Sequence, residues 1–237
     1  MTTPSPASTD WQERIAPDEE ARYAEAARQF AAIQARKSAR YGPGRALHRK
    51  TLAAARGELE VMAERPEFAR HGLFATPRRF ETWVRLSNGG FDRASDRAPD
   101  IRGFALRVLG VDGESALGGP ATAQCFTLIN QEVFSFPGSA EFIAFAIAAS
   151  NGQGALLKYL IKRYGLLGGP AKLLGFVRVA TRPFGGFATE PFNSVLPMAC
   201  GPYAVRVRIE PDAGNGSASP DAKADWGRDF SGRLARQ

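Results

Sequence analysis

The sequence is poor in the residues that build most metal and redox sites. It has two histidines and two cysteines in 237 residues. That is too few for a dedicated transition-metal site. Cys125 and Cys200 stand far apart and form no CxxC pair, so neither a zinc finger nor a disulfide framework is expected; both thiols are expected to be buried and inert. Long apolar runs are missing too. The most apolar stretch, FIAFAIAA at 142–149, is too short to span a bilayer. The first twenty residues have neither a basic start nor an apolar run, which excludes a signal or transit peptide there and leaves a soluble, cytoplasmic protein as the expectation. No P-loop, GxGxxG, HExxH or GxSxG is present.

Acids are in deficit, with 24 Asp and Glu against 31 Lys and Arg, a net charge of +7. The excess is arginine: 25 Arg and six Lys. Nucleic-acid binding is one reading of a basic chain. Here the arginines are scattered among acids, as in DRASDRAPDIRGF, with no basic run interleaved with aromatics. Arginine also suits small anions, because its planar fork donates bidentately to carboxylates and phosphates. Charge alone does not choose between these readings. Hydrophobic content of 44% and charged content of 23% are globular values, and the length suits one large domain or two small ones.

Residues 1–16 are rich in Ser, Thr and Pro and are expected to form a loose tail. The core is expected over 17–210. It opens with a helix from Pro17, acidic in its first turn and basic in its last, with Tyr23, Ala27, Phe30 and Ile33 on an apolar face. Alternating runs at 57–63, 80–88, 100–111, 123–130 and 203–210 predict strands, separated by Gly, Pro, Asn and Asp. Together they predict an α+β protein built on an antiparallel meander. Between them, 139–180 predicts a helical insertion of three helices, the third starting at Pro170. Lys158, Lys162 and Arg163 are expected on a solvated helix face rather than on a membrane. Residues 211–237 read as a linker followed by the start of a helix that stops.

Arg45 and His48 occur in GPGRALHRK, Arg85 and Ser87 in VRLS, and Asn130 just before the aromatic run VFSF. Arg85 and Ser87 are two apart on a strand and share a face, which points to solvent or into a polar cavity.

RALHRK with RGELEV, GLFATPRRFETWVRLSN, DRAPDIRGFALRVLGV and LINQEVFSF, in this order and spacing, resemble the haem catalase superfamily over about residues 40–210, above all its small bacterial catalase-related members. The resemblance implies an antiparallel β-barrel with haem b held between its distal wall and later helices. It implies that His48 is the distal base, Ser87 its hydrogen-bonding partner and Asn130 the distal asparagine. It also implies that Arg45 and Arg85 hold the haem propionates and that Phe142 stacks on the haem. A histidine whose pKa lies near working pH can carry the proton that moves from one peroxide oxygen to the other. His71 matches no catalytic position and is expected in a loop or on the surface.

The family's proximal tyrosinate belongs to an Arg-x-x-x-Tyr helix downstream. None of the five tyrosines, Tyr23, Tyr41, Tyr159, Tyr164 and Tyr203, has arginine four positions before it. An incomplete barrel follows, from a fragment, a shortened gene, or a partner half on another chain. The function implied is haem-dependent peroxide decomposition of catalase or peroxidase type. Fatty-acid hydroperoxide rearrangement on the same scaffold, or a haem-free remnant or basic binding module, are the alternatives. A small-molecule peroxide is the expected partner, with no nucleic acid and no membrane; a homo-oligomer is compatible with the family.

Overall fold

The computed structural model describes residues 8–96, 98–115 and 118–212. The segment 213–237 and the first seven residues, parts of the expected linker and tail, lie outside the described residues.

The first helix, α1, spans Glu19–Tyr41, with Glu19 and Glu20 in its first turn and Arg40 in its last. Its buried residues are Ala26 and Ile33, seven apart and so on one face. Tyr23, expected on that face, is exposed instead. Four long strands follow: β1 Thr51–Val61, β2 Arg78–Asn88, β3 Arg102–Glu114 and β4 Pro120–Ile129. They pair in sequence order, each antiparallel to the last. Two 3-10 turns, Glu67–Ala69 and Gly72–Phe74, connect β1 to β2.

The helical insertion begins with α2 at Ser139–Ser150. A second helical stretch, α3, covers Gln153–Ala180 and is broken at Gly165, where φ is +81° and ψ 173°. The break was expected at Pro170. Only glycine adopts that backbone geometry without strain, whereas Pro170 lies inside the helical stretch, five residues after the break. The boundary therefore falls at the glycine.

Short strands close the described chain: β5 Phe192–Asn193, β6 Met198–Cys200, β7 Tyr203–Val205 and β8 Arg208–Ile209. The single strand expected at 203–210 is split. Its first half pairs with β6 in a separate hairpin, and its second half joins β5. The main sheet has six strands in the order β1-β2-β3-β4-β5-β8. β1 and β8 lie at opposite edges and do not pair, so the sheet is an incomplete, curled barrel.

Strand alternation gives this sheet two unlike faces. On one, Phe80 and Leu86 of β2 pack with Val108 of β3 and with Phe126 and Leu128 of β4. Phe187 and Phe192 cover that face, their rings stacked at 5.4 Å. The other face carries Trp83, Arg85 and Ser87. The apolar interior that an open barrel would bare is thus packed by the chain's own 184–192 segment.

Candidate active site

The loop between α1 and β1 brings His48 to the second face of the sheet. Arg49 holds the loop from beneath. Its guanidinium donates to the backbone oxygen of Arg45 at 2.6 Å, to Ser38 Oγ at 3.2 Å and to the Gly42 carbonyl. It lies 3.2 Å from where a Cβ on Gly44 would sit, so glycine is what lets the loop close over it. From His48 onward the backbone extends the β1–β2 ladder. His48 N donates to Gly89 O at 3.0 Å, Arg49 N to Gly90 O at 3.2 Å, and Asn88 N to Lys50 O at 3.1 Å.

His48 itself has φ +49°, a left-handed conformation uncommon for a residue with a side chain. Such strain, of the order of 1–2 kcal/mol, persists only where surrounding bonds hold it, and it concentrates at functional sites. Its Nδ1 is 3.1 Å from Ser87 Oγ. Ser87 is paired with Gly103 of β3, and a Cβ there would come within 2.5 Å of His48 Nδ1 and 2.9 Å of Ser87 Oγ. The imidazole therefore rests on bare glycine backbone with one nitrogen tied to a buried serine. Its Nε2 has no partner among the described residues.

Two arginines stand beside it. Arg85 donates to the His48 carbonyl and, through Nε, to Thr51 Oγ1 at 2.9 Å. Burial first, then the charges of Arg85 and Arg45, push the His48 pKa down to about 4. A pKa near working pH was expected; a dry setting and two cationic neighbours place it lower. Burial and then Arg45 likewise push the Arg85 guanidinium below its usual value. No carboxylate lines the adjoining cavity of about 550 Å³, whose walls include Arg45, Arg56, Arg85 and Arg107 together with Trp83 and Thr127.

Asn130 and Phe142 stand apart from this group. Asn130 lies at the end of β4, where its Oδ1 accepts the Arg102 backbone N–H at 2.8 Å. That leaves Nδ2 as the only amide group it can offer. Phe142 belongs to an aromatic cluster with Phe134 and Phe136, at 5.6 and 5.4 Å, that continues to Phe145 and Phe176. Neither makes a hydrogen bond or ring contact with His48 or Ser87 among the described residues. His71 sits in the loop between the 3-10 turns, packed on Gly201 and 5.6 Å from the Tyr203 ring. Cys125 is exposed rather than buried, whereas Cys200 is half-buried with its thiol pKa raised by burial.

Alternation along β2 places Trp83 on the face of Arg85 and Ser87, but local pattern did not single out Arg49, Gly103, Arg56 or Arg107; a period-two count from Gly103 gives Arg107. Arg49 had no local signal, because its partners are backbone carbonyls and a serine of the preceding helix.

Among solved structures, a fungal catalase matches with a TM-score of 0.51 and 16% identity, over 90% of this chain and 41% of the catalase. The fold is catalase-like. A bacterial catalase also matches, at 17% identity and TM-score 0.48, over 88% of this chain and 38% of that one. The chain thus spans about two-fifths of the length of these catalases. No family model and no curated protein matches the sequence. A resident group for this catalase-like half-barrel would have to satisfy the arginines. Arg45 has no side-chain acceptor among the described residues, and Arg85 lines the same cavity, so the donor set suits an anionic ligand such as a carboxylate. No tyrosine lines the cavity, and no cluster of three or more His, Cys, Asp or Glu side chains suited to a metal ion occurs among the described residues.

Proposed function

We propose that the protein acts in haem-dependent decomposition of a peroxide, with His48 as the base and Arg45 and Arg85 as the carboxylate clamp. The observation that carries this reading is the His48–Ser87 pair: an imidazole held in a strained backbone, dry, with one nitrogen bonded and the other free. When bound, haem supplies the iron at which the O–O bond is broken.

The chain's own groups do the proton work. With Nδ1–H donating to Ser87 Oγ, His48 Nε2 presents a lone pair. Its low pKa keeps it neutral at pH 7, so it is free to accept the proton of a peroxide O–H. It then returns that proton to the departing oxygen, which leaves as water or an alcohol. Gly103 and Ser87 keep the ring from turning, so little reorientation is needed as the bond breaks. Asn130 can take part only through Nδ2. Phe142 sits in the aromatic cluster.

The test is an absorption titration of the full chain with haemin, followed by peroxide turnover. One haem band per chain is expected, with His48→Ala keeping the band and losing O–O cleavage. Full turnover by His48→Ala, or no saturable haemin uptake, would overturn the reading. Hydrogen peroxide and a fatty-acid hydroperoxide are to be compared side by side, since Ala54, Trp83 and Ala105 line the cavity beside its arginines and give an organic peroxide apolar contact as well.

A further inference from the structure

The stretch between Glu141 and Glu190 contains no acid. It contains six bases: Lys158, Lys162, Arg163, Lys172, Arg178 and Arg182. Nearly the whole of the chain's net charge of +7 could come from this one segment. All but Arg182 lie on α3, and those five are exposed. Arg163 faces Glu141 across 3.9 Å. Lys158, Lys162, Lys172 and Arg178 make no ion pair among the described residues.

The same helix bares apolar side chains. Leu166 and Leu167 are 78% and 90% exposed, the two highest values among the large hydrophobics that reach the surface. Leu174 and Val177 follow at 61% and 46%. The leucine pair comes directly after the Gly165 break. The two halves of α3 meet closely behind it: a Cβ on Gly169 would fall 2.7 Å from the Ile161 backbone nitrogen. Leu166 and Leu167 therefore stand at the apex of a bend stiffened by a glycine contact, with Lys162 and Arg163 on one flank and Lys172 on the other. The Tyr164 ring between them has Arg163 at 5.5 Å and Lys172 at 5.3 Å from its centroid.

An exposed leucine alone needs no explanation. A leucine pair at a bend, flanked by cations of which only Arg163 faces an acid among the described residues, has a specific complement. Basic groups around an apolar tip match the interface of an anionic bilayer, where leucines enter the acyl boundary and lysines meet the headgroups. No helix among the described residues is long and apolar enough to cross a membrane, so the contact would be peripheral. A protein partner would have to bring both an apolar slot and a ring of acids, and a second copy of this chain offers at this face, among the described residues, only Glu141, which is mostly buried and already faces Arg163. We propose that the bend of α3 is a membrane-docking tip that inserts Leu166 and Leu167 into anionic lipid surfaces. The inference does not rest on the peroxide reading.

The test is flotation of the full chain with vesicles of phosphatidylcholine alone and of phosphatidylcholine with phosphatidylglycerol in equal parts. Binding is expected on the anionic vesicles and not on the neutral ones, weakening as salt is raised. The triple change Lys158→Gln, Lys162→Gln, Arg163→Gln should lower the partition coefficient roughly a hundredfold. Leu166→Ser with Leu167→Ser should lower it about tenfold or more. Both sets sit on exposed positions, and an unchanged circular dichroism spectrum confirms that each variant is folded. Equal binding to both vesicle types, or none to either, overturns the proposal. So does a leucine variant that binds like the parent, which would reduce the contact to charge alone. Self-association removed by the leucine changes, without vesicle binding, would assign the tip to a second copy; retention on nucleic acid in place of vesicles would assign the charge to that ligand.

Discussion

His48 Nδ1 stands 3.1 Å from Ser87 Oγ, and Gly103 lies so close behind both that no side chain fits there. Three strands of sequence meet in this one arrangement: a loop residue, a residue of β2 and a residue of β3. Each constrains the other two.

Gly103→Ala is expected to push the imidazole off its seat. The added methyl would lie 2.5–2.6 Å from the ring atoms, far inside van der Waals contact, and Gly103 is buried. Overpacking of this kind costs about 1–3 kcal/mol. Urea unfolding should show that loss, and the His48 pKa should move back toward its ordinary value as the ring gains water. An unchanged midpoint and unchanged titration would mean that the ring does not rest on Gly103.

Ser87→Ala removes the partner of Nδ1 and leaves that nitrogen in a dry site. The expected cost is about 1–3 kcal/mol, the penalty of an unsatisfied buried polar group. The tautomer should also lose its bias, which nitrogen-15 shifts of the imidazole report directly. A variant as stable as the parent, with the same tautomer, would separate Ser87 from the histidine.

Stability should fall with acid in a defined window. The folded pKa of His48, about 4, is below its unfolded value near 6.5. Between these values the unfolded chain binds the extra proton, so stability rises with pH across that interval. The contribution is complete above about pH 6.5, is lost as pH falls toward 4, and amounts to about 3 kcal/mol at most. His48→Gln should flatten this part of the profile. Arg85→Gln should raise the His48 pKa without restoring it, because burial is the larger cause.

Haemin affinity is expected to depend on both cavity arginines. Arg45→Gln and Arg85→Gln should each weaken uptake by about tenfold, as for loss of a charge-assisted hydrogen bond. Binding of two carboxylates at these positions would also cancel two charges that depress the His48 pKa. A diamagnetic gallium porphyrin titrated against the chain should therefore raise that pKa. A porphyrin that binds while leaving His48 untouched would have seated elsewhere.

Much of the architecture was legible from local pattern. Alternation in FETWVRLSN separates Phe80, Thr82, Val84 and Leu86 from Trp83, Arg85 and Ser87, and β2 presents those two faces. SAEFIAFAIAAS predicts a helix, and α2 has those bounds. The ordered motifs from RALHRK to LINQEVFSF anticipated a catalase-like, incomplete barrel through their resemblance to that family, whereas strand period and turn residues, which act within a few positions, predicted only an antiparallel meander. The short strands β5 and β6 carry too few residues for any period to register. The run at 203–210 alternates throughout, yet its halves join different sheets, because strand pairing is chosen by partners far away in sequence.

The sequence by itself determined the residue types: a scarce histidine, arginines two or three positions from it or its partner, and a basic helical stretch with no acid between Glu141 and Glu190. Only the tertiary structure decided what each is for. Burial and two guanidinium groups lower the His48 pKa, a glycine on another strand seats its ring, and a carbonyl-bound Arg49 holds its loop. Asn130 shows the same division, since the sequence offers a free amide and the fold ties its oxygen to the Arg102 backbone. The physical reason is range. Backbone propensity and side-chain alternation are local, whereas desolvation, charge proximity and close packing depend on which distant segments the fold brings within a few ångströms.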